Sequence, residues 1–452
     1  FVRLLAYEEN MTTAGRMLQA AVDVRQVFQT IDGFGVNINA KYWNAGRLIP
    51  TMDRLHHDLG ATLFRVDIFG KSNWPDPDGL IGPAALEPGR LAAIYRGATA
   101  RDGWAMMRYL NEQGIAPYLT ISGDVPQWML GPDRRTLADE ERFCAMLVSL
   151  ITWARHEERL RFHYVGPLNE TDLGSPEGPL VSPEAYARVL LRLDEQLNRA
   201  GLEDIKLVVA EQARFNPAYL EAIVATPQLA GRIGVFGMHC YGAISPEQFA
   251  EVRAVATRGG FEDARLWMTE YGDLDQSGEK EWYVAWAMTE RLFNLLEGGF
   301  QAALVWDAYD NYHDHDEAWT IYGLLRSGLR VHTPKPRFYT AKQVFRYVLP
   351  GFQRIAVDAA APGLRLLAFA SSERDQLTVV GMNDTGHPAN LNIVLEGFPT
   401  TLLDGGVAYY RSSASERCHL IERIPIRGPN WPFNGIDALV PPDSVFTLTT
   451  VV

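Results

Sequence analysis

Apolar, strand-like runs alternate with helical stretches between residues 31 and 345 of the chain. Four stretches have the length and periodicity of helices: residues 52–60, 138–156, 183–200 and 281–297. Because strands that alternate with helices form parallel sheets, eight such runs predict a (β/α)8 TIM barrel, a fold of the α/β class. The eight predicted strands are residues 31–39, 62–69, 115–122, 163–170, 205–212, 233–241, 264–271 and 300–307.

The pattern changes beyond Pro350. Short β-rich runs, separated by Gly, Pro, Asn and Asp, occupy residues 364–371, 376–383, 389–395, 407–412 and 445–452. This pattern is typical of an antiparallel β-sandwich. Residues 20–29 also have an extended pattern, and we expect them to pair with the sandwich. The sequence therefore predicts a barrel domain over residues 31–345 and a C-terminal β-sandwich domain over residues 346–452. We expect a strand from residues 1–30 to be part of the sandwich.

The charge and composition argue against several classes of partner. The net charge is −13 and the sequence has no basic block, which argues against binding to nucleic acid or to anionic membranes. No run of about 18 apolar residues is present, so we expect no membrane span. Three scattered cysteines match neither a disulfide framework nor a metal site. Residues 1–20 do not have the pattern of a signal peptide, and the first residue is not Met. We therefore expect a soluble protein, and the sequence does not distinguish a cytoplasmic from a secreted one. It does not indicate the oligomeric state either.

Two glutamates stand at the ends of predicted barrel strands. Glu170 ends the fourth run and Glu270 lies near the end of the seventh. The carboxyl ends of the strands in such a barrel meet at one face, so both side chains are expected in one pocket. Two carboxyls about 5–5.5 Å apart perform retaining glycoside hydrolysis, in which one protonates the leaving oxygen and the other attacks the anomeric carbon. We assign Glu170 as the acid/base and Glu270 as the nucleophile.

Four further residues have the chemistry to support this pair. Asn169, which precedes Glu170, is expected to hydrogen-bond a sugar hydroxyl through its amide. Arg65 on the second strand, with His239 and Tyr241 at the end of the sixth, is expected to keep the nucleophile ionised and oriented. Arg65 could instead form an ion pair with Asp67, and His239 could be a structural histidine, and only the joint position of these residues at strand ends favours the functional interpretation.

Other polar and aromatic residues are candidates for sugar binding. Trp306, at the end of the eighth strand, and Trp128, in the loop after the third, are expected to stack on sugar rings, as aromatic faces do. Asp67 lies two residues after Arg65 on the second strand, so the two side chains are expected on the same face. Asp307 or Asp310 is expected to contact sugar hydroxyls, although each of these side chains could instead be structural.

Two alternatives concern metals and a third carboxylate. The loop 307–316 is rich in Asp and His, so a bound cation is conceivable there, but no known loop motif is present and no metal is assigned. A metal-dependent barrel hydrolase would have a His-x-His motif on the first strand, where this chain has Asn37-Ile-Asn39. Glu211 ends the fifth strand and is either a third pocket carboxylate or part of a salt bridge at the barrel rim.

The combination of motifs resembles the clan A glycoside hydrolases, and most closely family 30. The residues that carry the resemblance are the strand-end glutamates with Asn169, together with the Arg, His-x-Tyr and Trp positions above. The segment from Ile31 to Gly35 resembles the opening strand of that family, and the segment from Ser122 to Met129 resembles its loop after the third strand. The chain departs from the family pattern where Thr171 follows Glu170 and where Gly123-Asp124 stands in that loop.

This resemblance implies a retaining hydrolase on a barrel with a C-terminal β-domain, and it implies no cofactor. The sequence as a whole predicts a retaining β-glycosidase that hydrolyses β-linked glycosides or oligosaccharides through a covalent glycosyl-enzyme. Two alternatives stay open: an endo-acting polysaccharide hydrolase similar to xylanases, glucanases or galactanases, and a catalytically silent carbohydrate-binding protein on the same scaffold. In every case the expected partner is a carbohydrate, whose sugar and linkage the sequence leaves open.

Overall fold

The eight apolar runs close into a parallel barrel in the computed structural model of the chain. The structure describes residues 16–69, 76, 80–242, 244–258, 260–276, 281–313, 318–328, 332–359, 361–403, 405–428 and 435–451. An N-terminal strand, β1 (Arg16–Thr30), precedes the barrel. The barrel strands are β2 (Gly33–Asn39), β3 (Leu63–Phe69), β4 (Tyr118–Ile121), β5 (Tyr164–Gly166), β6 (Lys206–Val209), β7 (Ile233–Cys240), β8 (Arg265–Tyr271) and β9 (Ala302–Val305). The predicted (β/α)8 barrel is therefore confirmed.

Two barrel strands are shorter than the apolar runs that predicted them. The fourth run extends to Glu170, but β5 ends at Gly166, and the fifth run extends beyond Glu211, but β6 ends at Val209. Beyond these strands Glu170 has φ 41 and Ala210 has φ 65, a left-handed conformation that no strand residue adopts. The two segments still bond to each other, since the Glu170 amide donates to the Glu211 carbonyl at 2.9 Å.

The helices lie between the barrel strands, as the alternation of patterns predicts. They are α1 (Ile49–Asp53), which continues as a π-helix (Arg54–Leu59), α2 (Pro88–Tyr95), α3 (Ala98–Glu112), α4 (Glu140–His156), α5 (Pro183–Arg199), α6 (Pro217–Val224), α7 (Pro246–Ala256), α8 (Glu281–Glu297), α9 (Pro336–Phe345) and a single turn, α10 (Thr400–Leu403). Ser182 caps α5, because its hydroxyl accepts the Ala185 amide hydrogen at 3.3 Å. Among the described residues, no helix is long and apolar enough to cross a lipid bilayer.

Two small hairpins follow β9 at the same end of the barrel. They pair β10 (Asn311–His313) with β11 (Ala318–Thr320), and β12 (Leu325–Arg326) with β13 (Thr333–Pro334). The Tyr42 hydroxyl, in the loop after β2, accepts the Tyr312 amide hydrogen at 2.9 Å. The side-chain oxygen of Gln276, in the loop after β8, accepts the Ile321 amide hydrogen at 2.9 Å. The first hairpin is therefore held between the loops of two barrel strands.

The C-terminal region forms a nine-stranded mixed sheet with its own apolar core. Its strands are β1, β14 (Gln353–Ala359), β15 (Leu364–Ala370), β16 (Leu377–Asn383), β17 (Ala389–Glu396), β18 (Gly406–Ser412), β19 (His419–Pro425), β20 (Ile436–Val440) and β21 (Ser444–Thr449). They run in the order β19-β18-β21-β16-β15-β14-β1-β17-β20. The sheet folds over, since the Tyr409 hydroxyl on β18 donates to the Leu439 carbonyl on β20 at 3.0 Å.

The predicted sandwich is confirmed, with one difference in strand direction. Strand β1 pairs antiparallel with β14 but parallel with β17, so the sheet is mixed rather than wholly antiparallel. Residues from the start of the chain and from beyond the barrel thus share one ladder. The domain limits at residues 345 and 346 stay predictions.

Helix α9 joins the barrel to the sheet. Phe345 at its end stacks on Phe34 of β2, with the ring centroids 5.0 Å apart. On the sheet side, the Gln343 amide nitrogen donates to the Ser412 hydroxyl at 2.9 Å, and its amide oxygen accepts the Thr447 hydroxyl at 2.6 Å. All three polar side chains are fully buried, and the two hydroxyls also lie within hydrogen-bond distance of backbone carbonyls, that of Ser412 at 3.3 Å from Tyr339 and that of Thr447 at 2.7 Å from Gln343.

We expect Gln343→Ala to lower the melting temperature by a few degrees, because it removes two buried side-chain hydrogen bonds, each of which contributes about 0.5–1.5 kcal/mol. Gln228→Ala, at an exposed position, is the matched control. Calorimetry of both variants checks the prediction, and an equal effect of the two substitutions would contradict it.

Candidate active site

Glu170 and Glu270 meet at the carboxyl end of the barrel. Glu170 lies in the segment after β5, and Glu270 is the last but one residue of β8. One oxygen of each carboxylate and one ring nitrogen of His239 all lie within 4.8 Å of one another. All three side chains are buried. The structure therefore brings together two carboxyls that are far apart in the sequence.

Glu270 is held by two donors, one on each carboxylate oxygen. The Arg65 guanidinium donates to Oε1, and the Tyr241 hydroxyl donates to Oε2. Burial of Arg65 opposes its charge, but Glu211 and Glu270 outweigh that effect and hold the pKa of the guanidinium well above its usual range. Burial and the charge of Glu270 raise the pKa of Tyr241 well above its usual value, so the phenol keeps its proton. The two donors therefore fix the orientation of the Glu270 carboxylate.

Glu170 is paired with His239. The Nδ1 atom of His239 lies 2.7 Å from Oε1 of Glu170, while Nε2 lies 3.6 Å from Oε1 of Glu270. Burial by itself would lower the pKa of His239, but the charge of Glu270 and the contacts with Glu170 and Glu211 outweigh it and raise that pKa to about 10. His239 is therefore a cation at neutral pH and lies between the two carboxylates.

Asn169 is held by the same guanidinium that holds Glu270. Its side-chain oxygen accepts a hydrogen bond from Nη2 of Arg65 at 2.8 Å. This contact fixes the orientation of the amide, whose nitrogen makes one long hydrogen bond of 3.4 Å to the Glu177 carbonyl. Arg65, Asn169, His239, Tyr241 and the two glutamates thus form one connected network.

Three members of this network were absent from the set assigned from the sequence. Glu211, which was left undecided there, is fully buried and its Oε1 atom lies 3.4 Å from Arg65. The Tyr118 hydroxyl donates to the other oxygen of Glu211. Asn37 accepts from Arg65 at 2.9 Å and pairs with it in register across β2 and β3. A strand-end position pointed to Glu211, whereas Tyr118 and Asn37 had no signal that separates them from core residues.

The remaining candidates surround this network. Asp67 accepts a hydrogen bond from the Ser122 hydroxyl at 2.6 Å, which joins the ends of β3 and β4. Trp306 follows β9 directly and is half-buried, and the peptide bond between Trp306 and Asp307 is cis. Trp128 lies in a short 3-10 helix, half-buried against the apolar core of the barrel. The roles of these residues in sugar binding stay predictions.

The chain is similar to solved structures of glycoside hydrolases over nearly its whole length. The family 30 subfamily 8 xylanase Xyn30A from Clostridium acetobutylicum superposes with a TM-score of 0.72 at 18% identity, over 95% of this chain and 99% of that one. An endo-β1,6-glucanase superposes with a TM-score of 0.69 at 15% identity, over 96% of this chain and 93% of the glucanase chain. A glucosidase from Croceicoccus marinus superposes with a TM-score of 0.65 at 14% identity, over 96% and 98%.

This chain has the fold of the family 30 glycoside hydrolases. At these identities the likeness establishes the fold, and the resemblance inferred from the sequence is confirmed to that extent. The sequence itself matches no family model.

The network is better suited to hold protons than a metal ion. Glu170, His239 and Glu270 offer three ligand atoms of the kind that transition metals bind. However, the Arg65 guanidinium already occupies an oxygen of Glu270, and a cationic His239 would repel a second cation. In the acidic loop after β9, Asp310 forms a buried salt bridge with Lys335 at 2.7 Å. The rest of that loop, residues 314–316, lies outside the described residues.

Asp307 is a further buried carboxyl next to the network. Its oxygens accept the Ala308 amide hydrogen at 2.6 Å and the Asn311 side-chain amide at 2.5 Å. These donors favour the ionised form, but burial outweighs them and, with the charges of Glu270 and Asp310, raises the pKa of Asp307 to about 7. Asp307 therefore changes its charge near neutral pH.

We expect this titration to appear in the stability of the protein. The pKa in the folded state lies above the unfolded value, so the protonated form stabilises the fold below about pH 4, and this contribution is lost as the pH rises to about 7. The melting temperature of Asp307→Asn relative to the wild type should therefore rise between pH 4.5 and pH 7.5. The difference in the free energy of unfolding between the two proteins should change by about 2–4 kcal/mol over this range. The control is Asp263→Asn at an exposed position, and a difference that does not vary with pH would contradict the assignment.

Proposed function

We propose that the protein is a retaining glycoside hydrolase that acts on β-linked glycosides, with Glu270 as the nucleophile and Glu170 as the acid/base. The single observation that carries this proposal is that one oxygen of the Glu170 carboxylate lies within 4.8 Å of one oxygen of the Glu270 carboxylate. Retaining enzymes hold their carboxyls about 5–5.5 Å apart, whereas inverting enzymes need about 6.5–9.5 Å to admit a water molecule between carboxyl and sugar. The spacing supports a double displacement.

In the first step Glu270 attacks the anomeric carbon, and the bond to the leaving oxygen breaks as Glu170 donates its proton to that oxygen. Arg65 and Tyr241 keep the attacking carboxylate ionised and fixed before the step. Since these donors are held by a buried network, little reorganisation is needed when the charge moves. The amide nitrogen of Asn169, whose oxygen is bound by Arg65, is the group we expect to donate to the sugar hydroxyl next to the reacting carbon.

In the second step a water molecule takes the place of the leaving group. Glu170, now ionised, removes a proton from the water as the oxygen attacks the anomeric carbon and the ester bond to Glu270 breaks. This restores both carboxyls to their starting states. His239, 2.7 Å from Glu170, stabilises the ionised form of Glu170 during this interval.

The finer choice is between release of a terminal sugar and cleavage within a polysaccharide. We retain β-glycosidase activity as the first candidate, since the hairpins after β9 add a wall to one side of the barrel mouth. Endo-hydrolysis is the second candidate, because the structural neighbours include a xylanase and an endo-β1,6-glucanase. A carbohydrate-binding protein without activity is the third, and a test of the nucleophile separates it from the other two.

Hydrolysis of a panel of para-nitrophenyl β-glycosides and an α-arabinofuranoside, followed by polysaccharides, tests the activity. We expect one substrate to be cleaved and Glu270→Gln to abolish that cleavage while the protein stays folded, because an amide cannot attack the anomeric carbon. Glu262→Gln, at an exposed position, is the matched control and should retain the wild-type rate. Near-normal hydrolysis by Glu270→Gln would exclude it as the nucleophile.

Glu170→Ala tests the acid role separately. We expect a loss of about 10²–10⁴-fold with poor leaving groups, which need protonation, and a much smaller effect on glycosyl transfer from activated aryl glycosides. The measurement is the pre-steady-state release of aglycone across a series of leaving groups. Equal losses across the series would argue against proton donation by Glu170.

A further inference from the structure

A third carboxylate, that of Glu211, lies beneath the two proposed catalytic glutamates. Glu211 is 0% exposed, whereas Glu170 and Glu270 keep 7% and 5% of their surface. A side chain without exposed surface does not contact a sugar that enters from solvent. Any function of Glu211 in the reaction must therefore act through the residues that it contacts.

Those contacts are two cations and one phenol. Oε1 of Glu211 lies 3.4 Å from Nη2 of Arg65 and 3.7 Å from Nε2 of His239. Oε2 accepts the hydroxyl hydrogen of Tyr118. Burial raises the pKa of Glu211, but Arg65 and then His239 outweigh it and hold that pKa below its usual range. Glu211 is consequently an anion in the interior of the barrel.

The barrel provides the space for this side chain through two glycines. A Cβ atom on Gly166 of β5 would lie 2.6 Å from Oε2 of Glu211, and one on Gly237 of β7 would lie 2.9 Å from its Cγ. A Cβ atom does not lie this close to a non-bonded heavy atom, so a larger residue at either position would force Glu211 or its neighbours to move. The two strands that flank β6 thus both lack a side chain where the carboxylate lies.

The charges of the network balance only if Glu211 is counted. The proposed mechanism starts with the proton on Glu170, and the cations Arg65 and His239 then match the anions Glu211 and Glu270. In the glycosyl-enzyme, Glu270 is an uncharged ester and Glu170 has become the second anion. Arg65, His239 and Glu211 keep their charges through both steps. Without Glu211 the buried network would carry an excess positive charge at every stage, which a low-dielectric interior disfavours.

We propose that Glu211 is a positioning residue that keeps His239 protonated and, through His239, controls the proton on Glu170. The first part concerns the free protein, and the second rests on the proposed function. The titratable groups that face His239 are Glu170, Glu211 and Glu270, at 2.7, 3.7 and 3.6 Å. Of these, Glu211 alone takes no part in the bond changes, so it is the constant counter-charge of His239.

The direct test is the titration of the His239 ring by NMR in protein labelled at histidine nitrogen. The His239 signals are identified by their loss in His239→Asn. In the wild type His239 should stay protonated at pH 8, well above its ordinary pKa of about 6.5. In Glu211→Gln its midpoint should fall by at least one pH unit, and in Glu211→Asp, which keeps the charge, it should stay near the wild-type value.

Tyr118→Phe controls for disturbance of packing, because it removes a hydrogen bond to Glu211 but not the charge. The proposal is supported if the titration midpoint of His239 falls in Glu211→Gln but not in Glu211→Asp or Tyr118→Phe. An unchanged midpoint in Glu211→Gln overturns it. If Glu211→Gln does not fold, the wild-type titration decides, since a neutral His239 at pH 7 would overturn the proposal without any variant.

The control of the Glu170 proton by Glu211, through His239, is tested by the pH profile of kcat/KM, measured with the substrate that the panel of glycosides identifies. If His239 loses its proton in Glu211→Gln, Glu170 loses the neighbouring cation that favours its ionised form, so the basic limb should move to higher pH and should return in Glu211→Asp. A lower rate with an unshifted profile would indicate a merely structural role and overturn this part. If the wild type hydrolyses nothing, the proposed function fails, while the His239 titration still decides the first part.

Discussion

The buried guanidinium of Arg65 is the group on which the rest of the site depends. It lies on β3 and is 2% exposed, and it donates to Asn37 on β2, to Glu270 on β8 and to Asn169 after β5. It also contacts Glu211 after β6. An unpaired charge at this depth is strongly unfavourable, and removal of one partner of a buried ion pair typically costs about 3–5 kcal/mol. The same cation therefore stabilises the mouth of the barrel and fixes the carboxylates.

The strands place this charged layer directly above an apolar one. Along β3 the residues on one face are Leu63, which packs in the lower apolar cluster, then Arg65 and then Asp67. Along β7 the residues on the same face begin with Val235 in the apolar cluster and reach His239 four residues later, nearer the carboxyl end of the strand. Since side chains alternate strictly along a strand, the transition from an apolar to a charged interior is encoded in every second residue. The charged groups of the network consequently lie at one level of the barrel.

Much of this arrangement could be predicted because it follows from local pattern. The eight barrel strands come from apolar runs, and the two glutamates come from their ends. Glu270 is the instructive exception, since alternation from Trp267 would place Thr269, rather than Glu270, on the inner face. The register between β7 and β8 shifts at this point, so that His239 pairs with Glu270 and one residue of β8 is skipped. Such bulges change the direction of a side chain, and no periodic pattern reveals them.

The features that the sequence did not predict depend on pairing between distant segments. The parallel pairing of β1 with β17 joins residues at the two ends of the chain, and strands β14, β19 and β20 were not identified as separate runs. The partners of Glu211 come from β3, β4 and β7, none of which is adjacent to it in sequence. A buried carboxylate has no distinctive local pattern, because its environment is made by other strands. Its position between two glycines and two cations becomes apparent only when the barrel is closed.

The structure separates a charged interior from the loops at the rim of the barrel. The charged layer is built from residues on or next to the strands, whose geometry the closed barrel fixes. The hairpins after β9 and the loop with Trp128 lie outside it, and loops tolerate change without loss of the core. Structural neighbours at 14–18% identity that share the fold and carry the names xylanase, glucanase and glucosidase are consistent with this division. Under the proposed function, chemistry at the anomeric carbon belongs to the strand ends, and the choice of sugar belongs to the loops above them.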